Sequence, residues 1–166
     1  MSTFLIRDGV LAQDDWAVLA DDAVLPAAGK VIVSLKRYRD ERAALSASGL
    51  TVGVRIANTE HADTIAAELA GLPLIAVEIP KFGDGRAYSQ ARVLRERYGY
   101  KGEIRAYGDV LRDQIGFMAR CGINAFLPRA DQDVQDCLSA YRDFTLPYQH
   151  GADRLQTVWE QRRAQH

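Results

Sequence analysis

The sequence predicts an α/β protein built on a mainly parallel sheet, arranged as an incomplete TIM-like barrel. Three observations carry that expectation. From Lys30 onward, short runs rich in branched aliphatics alternate with segments of helical period. Glycine stands just past the end of most of those helical segments, where a left-handed residue closes a helix. Three successive strand segments carry charge on one face only, the pattern of a sheet covered by helices on a single side.

The elements follow in order. Residues 3–12 read as a hairpin around Asp8-Gly9, a pair that supplies the positive φ angles of a tight two-residue turn. QDDWAVLADD has no decisive period, and Pro26 and Gly29 mark a loop. VIVSL (31–35) then predicts a strand and RDERAALSASG (39–49) a helix; LTVGVRIA (50–57) a strand and TEHADTIAAELAG (59–71) a helix. LIAVEI (74–79) and AYSQARVLRERYG (87–99) repeat the alternation, as do GEIRAYG (102–108) and DVLRDQIGFMARCG (109–122). NAFLP (124–128) is the last predicted strand. It precedes a helix over 131–144 and a polar helix over 150–165. Thr59 and Asp109 are the expected N-caps; Gly49, Gly71, Gly99 and Gly122 are the expected C-terminal glycines. Ala87, Ala91, Leu94 and Tyr98 form one apolar stripe; Leu111, Ile115 and Met118 form another. The recurrence of βα units argues for right-handed crossovers between parallel strands.

Strand alternation assigns the faces. Val52, Val54 and Ile56 oppose Gly53 and Arg55; Ile75, Val77 and Ile79 oppose Ala76 and Glu78; Ile104 and Ala106 oppose Glu103, Arg105 and Tyr107. A barrel puts helices outside and polar groups inside near the C-terminal strand ends. The repeats are too few to close eight βα units, so the barrel is expected to be completed by the N-terminal hairpin or by a second chain; open strand edges and apolar surface predict a homodimer. The alternative fold is a doubly wound three-layer sandwich with the three charges at a ligand crevice.

A chain of 166 residues with 48% hydrophobic and 26% charged residues fits one domain, 1–166, with an ordinary core. A net charge of −1 lacks the basic footprint of a nucleic-acid binder. No apolar run approaches the roughly 18 residues of a membrane span, and the N-terminus has no signal-peptide pattern, so a cytoplasmic location is expected. Cys121 and Cys137 are not paired as CxxC and read as reduced core residues; His61, His150 and His166 are scattered. Neither a metal site nor a cofactor is expected: no dinucleotide fingerprint, phosphate loop or cluster-binding spacing occurs.

The densest chemistry lies in PKFGDGRAYSQAR, residues 80–92, the loop leaving the strand 74–79. In both candidate folds, ligands bind at that edge. Lys81, Asp84, Arg86 and Ser89 there predict a small anionic ligand at a helix N-terminus. The plainer reading makes Gly83, Asp84 and Gly85 a turn and leaves the arginines to solvate a surface helix, with Arg92, Arg95 and Arg97 as ordinary surface charges. Arg55, Glu78 and Arg105 form a second constellation, either an anion site with a poised base or a self-sufficient ion cluster. Asp109 follows the next strand at the same edge, as an N-cap or as a base. Tyr107 points with Arg105 toward the same space. Together these residues predict one pocket. Lys81, Asp84, Arg86, Ser89, Arg55 and Arg105 would bind the anion; in an enzyme, Glu78 or Asp109 would be the general base.

The run FGDGRAYSQARVLRERYGYKGEIRAYGDVLRDQIGFMARCGINAF, with DFTLPYQ further on, closely resembles the bacterial DUF934 family, a likeness extending from about Lys30 to Gln149. Members of that family carry the label of oxidoreductases of sulfite reduction. The resemblance therefore implies a role in assimilatory sulfur metabolism, beside sulfite reductase or activated-sulfate reductase as partners. It supplies no catalytic residues. The residues themselves favour an accessory or ligand-binding protein over redox catalysis by this chain alone; an enzyme acting on a small anionic substrate is the alternative.

Overall fold

The computed structural model describes residues 4–141, 147–153 and 155–164. Among these residues, one eight-stranded sheet in the order β2-β1-β8-β7-β6-β5-β4-β3 curls into a half-barrel with both edges open, and seven α-helices accompany it. The strands are β1 (Phe4–Arg7), β2 (Val10–Gln13), β3 (Trp16–Val18), β4 (Lys30–Ser34), β5 (Thr51–Ile56), β6 (Leu74–Ile79), β7 (Glu103–Gly108) and β8 (Ala125–Phe126). The helices are α1 (Leu35–Asp40), α2 (Arg42–Ala47), α3 (Ala62–Leu69), α4 (Arg86–Glu96), α5 (Ile115–Arg120), α6 (Val134–Tyr141) and α7 (Val158–Ala164).

Neighbours from β3 through β8 run parallel, each of β4 to β7 feeding helical chain before the next strand, as right-handed crossovers require. The hairpin β1–β2 joins antiparallel to β8. Its turn has Asp8 at φ 50° and Gly9 at φ 73°, the backbone that Asp-Gly favours. The undecided segment after it contributes the short edge strand β3.

Helices and loops pack on one face of the sheet. Val31, Val33, Val54, Ile56, Ile75, Val77, Ile79, Ile104 and Phe126 share one large core with Ile65, Leu69, Ala87, Ala91, Leu94, Ile115 and Met118 from the helices. On the other face a small cluster of Ile32, Leu74 and Ala76 is roofed by Trp16 and Tyr107 rather than, among the described residues, by a helix. That asymmetry is not a three-layer sandwich, which would place helices on both faces. Glycine at 53 makes room for the roof: a Cβ there would lie 2.9 Å from Leu74 and 3.1 Å from Trp16.

Several boundaries differ from those expected. The first helical segment begins at Leu35, capped by the Ser34 hydroxyl, which accepts from the Arg37 amide at 3.0 Å, and it breaks at Glu41. Thr59 is not an N-cap; α3 starts two residues later, after His61. Nor is Asp109, because Gly108, at φ 97°, turns the chain so that the Asp109 amide donates to the Ile79 carbonyl at 2.7 Å. The helical chain then opens with a 3-10 turn at Arg112–Gln114. Gly49, Gly99 and Gly122 have positive φ, whereas Gly71 does not. Tyr98 is 43% exposed, its hydroxyl bonded to Asp63 instead of packed in the α4 stripe. The last helix spans only Val158–Ala164, and the expected helical positions 142–144 lie outside the described residues.

Candidate functional site

The C-terminal ends of β5 and β6 open into a cleft of about 420 Å³. One wall is the loop and first turn 58–63; the other is α4, which presents Arg86, Ser89, Gln90 and Val93. Those four are spaced i, i+3, i+4 and i+7, so one helical face provides them all.

The loop walls are tied by buried polar side chains. Asp84, 9% exposed, accepts from the Asn58 amide at 2.6 Å and from Arg86 through its Nε, Nη2 and backbone amide at 3.0, 2.6 and 3.2 Å. The Arg86 guanidinium holds the Asp84 carboxyl far below the usual carboxylate range, against the opposing effect of burial. Asp84 is therefore an anchor beneath the rim, while Arg86, with 57% of its side chain exposed, reaches the cleft. Gln90 closes the inner wall: its amide nitrogen donates to the Ala57 and Glu60 carbonyls at 2.8 and 2.7 Å.

Electrostatically the cleft is mixed. Helix α3 begins at the cleft wall after His61, whose side chain makes no capping bond, and the first turn of a helix left uncapped favours negative charge. Glu60 and Asp63 bring negative charge, but Asp63 is spent on Arg97 at 2.5 Å and on the Tyr98 hydroxyl at 3.1 Å. Those donors hold its carboxyl below the ordinary value.

The residues predicted to share one pocket are divided. Arg86 and Ser89 line the cleft and Asp84 underlies it; Lys81 is exposed on the loop and does not line it. Asp109 faces Arg129 at 2.5 Å, and Arg129 also holds Asp131 at 2.6 Å, so this carboxylate is committed to a surface ion cluster.

The remaining three lie on the helix-free face. Arg55, Ala76 and Arg105 stand in one row across β5, β6 and β7; Glu78 and Tyr107 pair in the next row. Despite the shared row, the arginines part company. Arg105, 2% exposed, donates to Asp14 at 2.9 and 3.0 Å and to Glu103 at 2.7 Å, while Glu103 also accepts from Arg7 at 2.8 Å. This is an ion cluster that pins the chain between β2 and β3. Arg55 approaches Asp21 at 3.8 Å and, with Glu78, influences Tyr107. Burial first, and the Glu78 charge second, push the Tyr107 hydroxyl up to about 12.

Two signals were passed over at the sequence level. Gln90 is a polar residue inside the buried stripe of α4, and Asn58 is a buried amide where a strand ends. Arg95 is no surface charge: it donates to the carbonyls of Gly122, Tyr100 and Gly102 and to Asn124, stapling α4 to the loops flanking β7. Cys121 and Cys137 are buried free thiols. Among the described residues, no three His, Cys, Asp or Glu side chains are grouped to share a metal ion, and no helix is long and apolar enough to cross a membrane.

No curated protein matches the chain. The profile of a family described as "Bacterial protein of unknown function (DUF934)" matches residues 53–159, a span running from β5 into α7 that includes the cleft, Glu78, Arg105 and Asp109. That match covers well over half of the sequence, and the chain belongs to the DUF934 family.

Proposed function

We propose that this chain is an accessory, ligand-binding protein of assimilatory sulfite and sulfate reduction in the cytoplasm, and that it binds a small anion in the cleft between α3 and α4. The observation that carries the reading is the meeting, in one cleft, of the start of α3, which no side chain caps, with Arg86 and Ser89 of α4. Helix amides and a guanidinium both favour negative charge, and more so in a cleft partly shielded from water. Asp84 supports the reading by fixing the Arg86 head without filling the cleft itself. The metabolic setting rests on the sequence resemblance of the central run.

Calorimetry with sulfate, sulfite, phosphate and adenylyl sulfate tests the site. Binding to at least one, weakened in Ser89→Asp, is expected. Ser89 is exposed, so the added carboxylate repels an anion without disturbing the core. Silence toward all four at millimolar concentration contradicts the proposal. Co-purification with sulfite reductase or activated-sulfate reductase tests the setting.

A second reading, an enzyme acting on a small anionic substrate, draws on the pairing of Glu78 with Tyr107 and on Arg55, one row away on β5, whose charge also reaches Tyr107. In it Glu78 is the base in preference to Asp109, which Arg129 occupies. Turnover of a sulfur anion, lost in Glu78→Gln, distinguishes it. The open edges β2 and β3 support a homodimer, for which light scattering at micromolar concentration should return twice the chain mass.

A further inference from the structure

We infer that the ligand of the α3–α4 cleft is an organic anion carrying a hydroxyl or amino donor next to its charged group, rather than a bare oxyanion. This rests on the anion-binding reading above and narrows it. The first observation is Gln90. It lines the cleft, is 5% exposed, and its side-chain oxygen has no hydrogen-bond partner among the described residues. Which end of the amide is oxygen follows from its surroundings. Two carbonyls, of Ala57 and Glu60, take the nitrogen's hydrogens, and a flipped amide would set oxygen against oxygen twice. The unpartnered oxygen is thus an acceptor with no surface open to water, an unfavourable state that a small turn of the amide toward a ligand's donor would relieve. A bare sulfate dianion has no donor to give it.

The second observation is the order of groups along α4. Arg86 and Ser89 come first, suited to the anionic head. Gln90 is on the same face as Arg86, one turn on. Val93, half-buried, follows with an apolar surface. Cation, hydroxyl, acceptor and hydrocarbon in that sequence match a molecule with a charged head, an adjacent donor and a carbon body. The third is size. About 420 Å³ falls within the range of about 300–1,000 Å³ of sites that take small organic molecules. Glu60 and His61 on the opposite wall add rim contacts for the polar part of such a body.

The test uses three probes on the full chain, by calorimetry: sulfate, glycerol 3-phosphate and n-propyl phosphate. The two esters match in carbon count and differ in their hydroxyls. Glycerol 3-phosphate is expected to bind at least about tenfold more tightly than propyl phosphate. In Gln90→Met that preference should vanish while the affinity for sulfate stays within about twofold. Equal binding of all three probes by the unmodified chain would overturn the inference while leaving the anion reading intact, and this arm needs no variant to fold. Binding of none overturns both. A preference for the hydroxylated ester that survives intact in a folded Gln90→Met overturns the role given to Gln90.

Discussion

Arg105 and Arg86 stand one strand apart in the fold order, and they live in opposite circumstances. Arg105 leaves the middle of β7 with 3% of its side chain exposed, and its Nε and Nη1 are held by two carboxylates, Glu103 and Asp14, both also largely buried, while its Nη2 is left without a hydrogen-bond partner among the described residues. Arg86 opens α4 with 57% exposed and has a single carboxylate partner, Asp84, tucked beneath it. The first arginine spends its charge on holding the chain between β2 and β3 across the helix-free face. The second is positioned by its partner and still presents its charge to solvent and to a cleft. Charge near a strand's C-terminal end is therefore a poor guide to a site by itself; what decides is whether the partner exhausts the charge or only aims it.

The largest expected effect breaks the Arg105 side of the comparison. Arg105→Ala leaves Asp14 and Glu103 without their shared cation and should cost about 3–5 kcal/mol in urea unfolding. Anion affinity per folded molecule should not change. An Arg105→Ala protein that is as stable as its parent but fails to bind anions would reverse the assignments. Next in size is Ser89→Asp, which should weaken anion binding by about tenfold while altering stability by less than about 0.5 kcal/mol.

A smaller effect concerns acid. The Asp84 carboxyl titrates well below its unfolded value, chiefly because Arg86 donates to it. Its contribution to stability is present above an unfolded pKa of about 4 and is lost as pH falls toward the folded value. Arg86→Gln should flatten that acid limb, measured as the unfolding midpoint between about pH 5 and 2. An unchanged slope would mean that Asn58 and the backbone suffice to hold the carboxylate. The smallest effect lies in base. Tyr107, pushed up to about 12, stays protonated in the fold when an unfolded tyrosine would ionise near 10. The fold should therefore lose some stability as pH rises from about 10 toward 12, and Glu78→Gln should lower the tyrosine's ultraviolet titration midpoint.

The parts of the fold legible in the sequence are those governed by local chemistry. Asp8-Gly9 dictates its own turn, and alternation of branched residues in β5, β6 and β7 assigns each side chain to the helix-covered or the open face. Neither Thr59 nor Asp109 caps a helix, because the chain first makes a turn at Ala57–Glu60 held by Gln90 of α4, and at Asp109 bonds to Ile79 of β6, tertiary demands that no cap residue records. Arg95 looks like a solvated charge because its carbonyl partners at Gly122 and Gly102 come from other segments. The candidate site was legible by half for a similar reason. Arg86 and Ser89 mark themselves by lying on a polar loop and helix start. The opposite wall, Asn58 to Asp63, is brought there only by the parallel pairing of β5 with β6. Alternation groups Arg105 with them because it reports the face on which a side chain emerges, not the direction in which it then leans.

A phosphate titration followed by amide-resolved nuclear magnetic resonance tests the central claim most directly, since it reads both regions in one sample. The account predicts saturable shifts at the amides of Ala62, Asp63, Arg86 and Ala87, where α3 and α4 begin, and none at Asp14, Glu103 or Arg105. Shifts centred on Asp14 and Arg105, or no saturable shift anywhere, would contradict it.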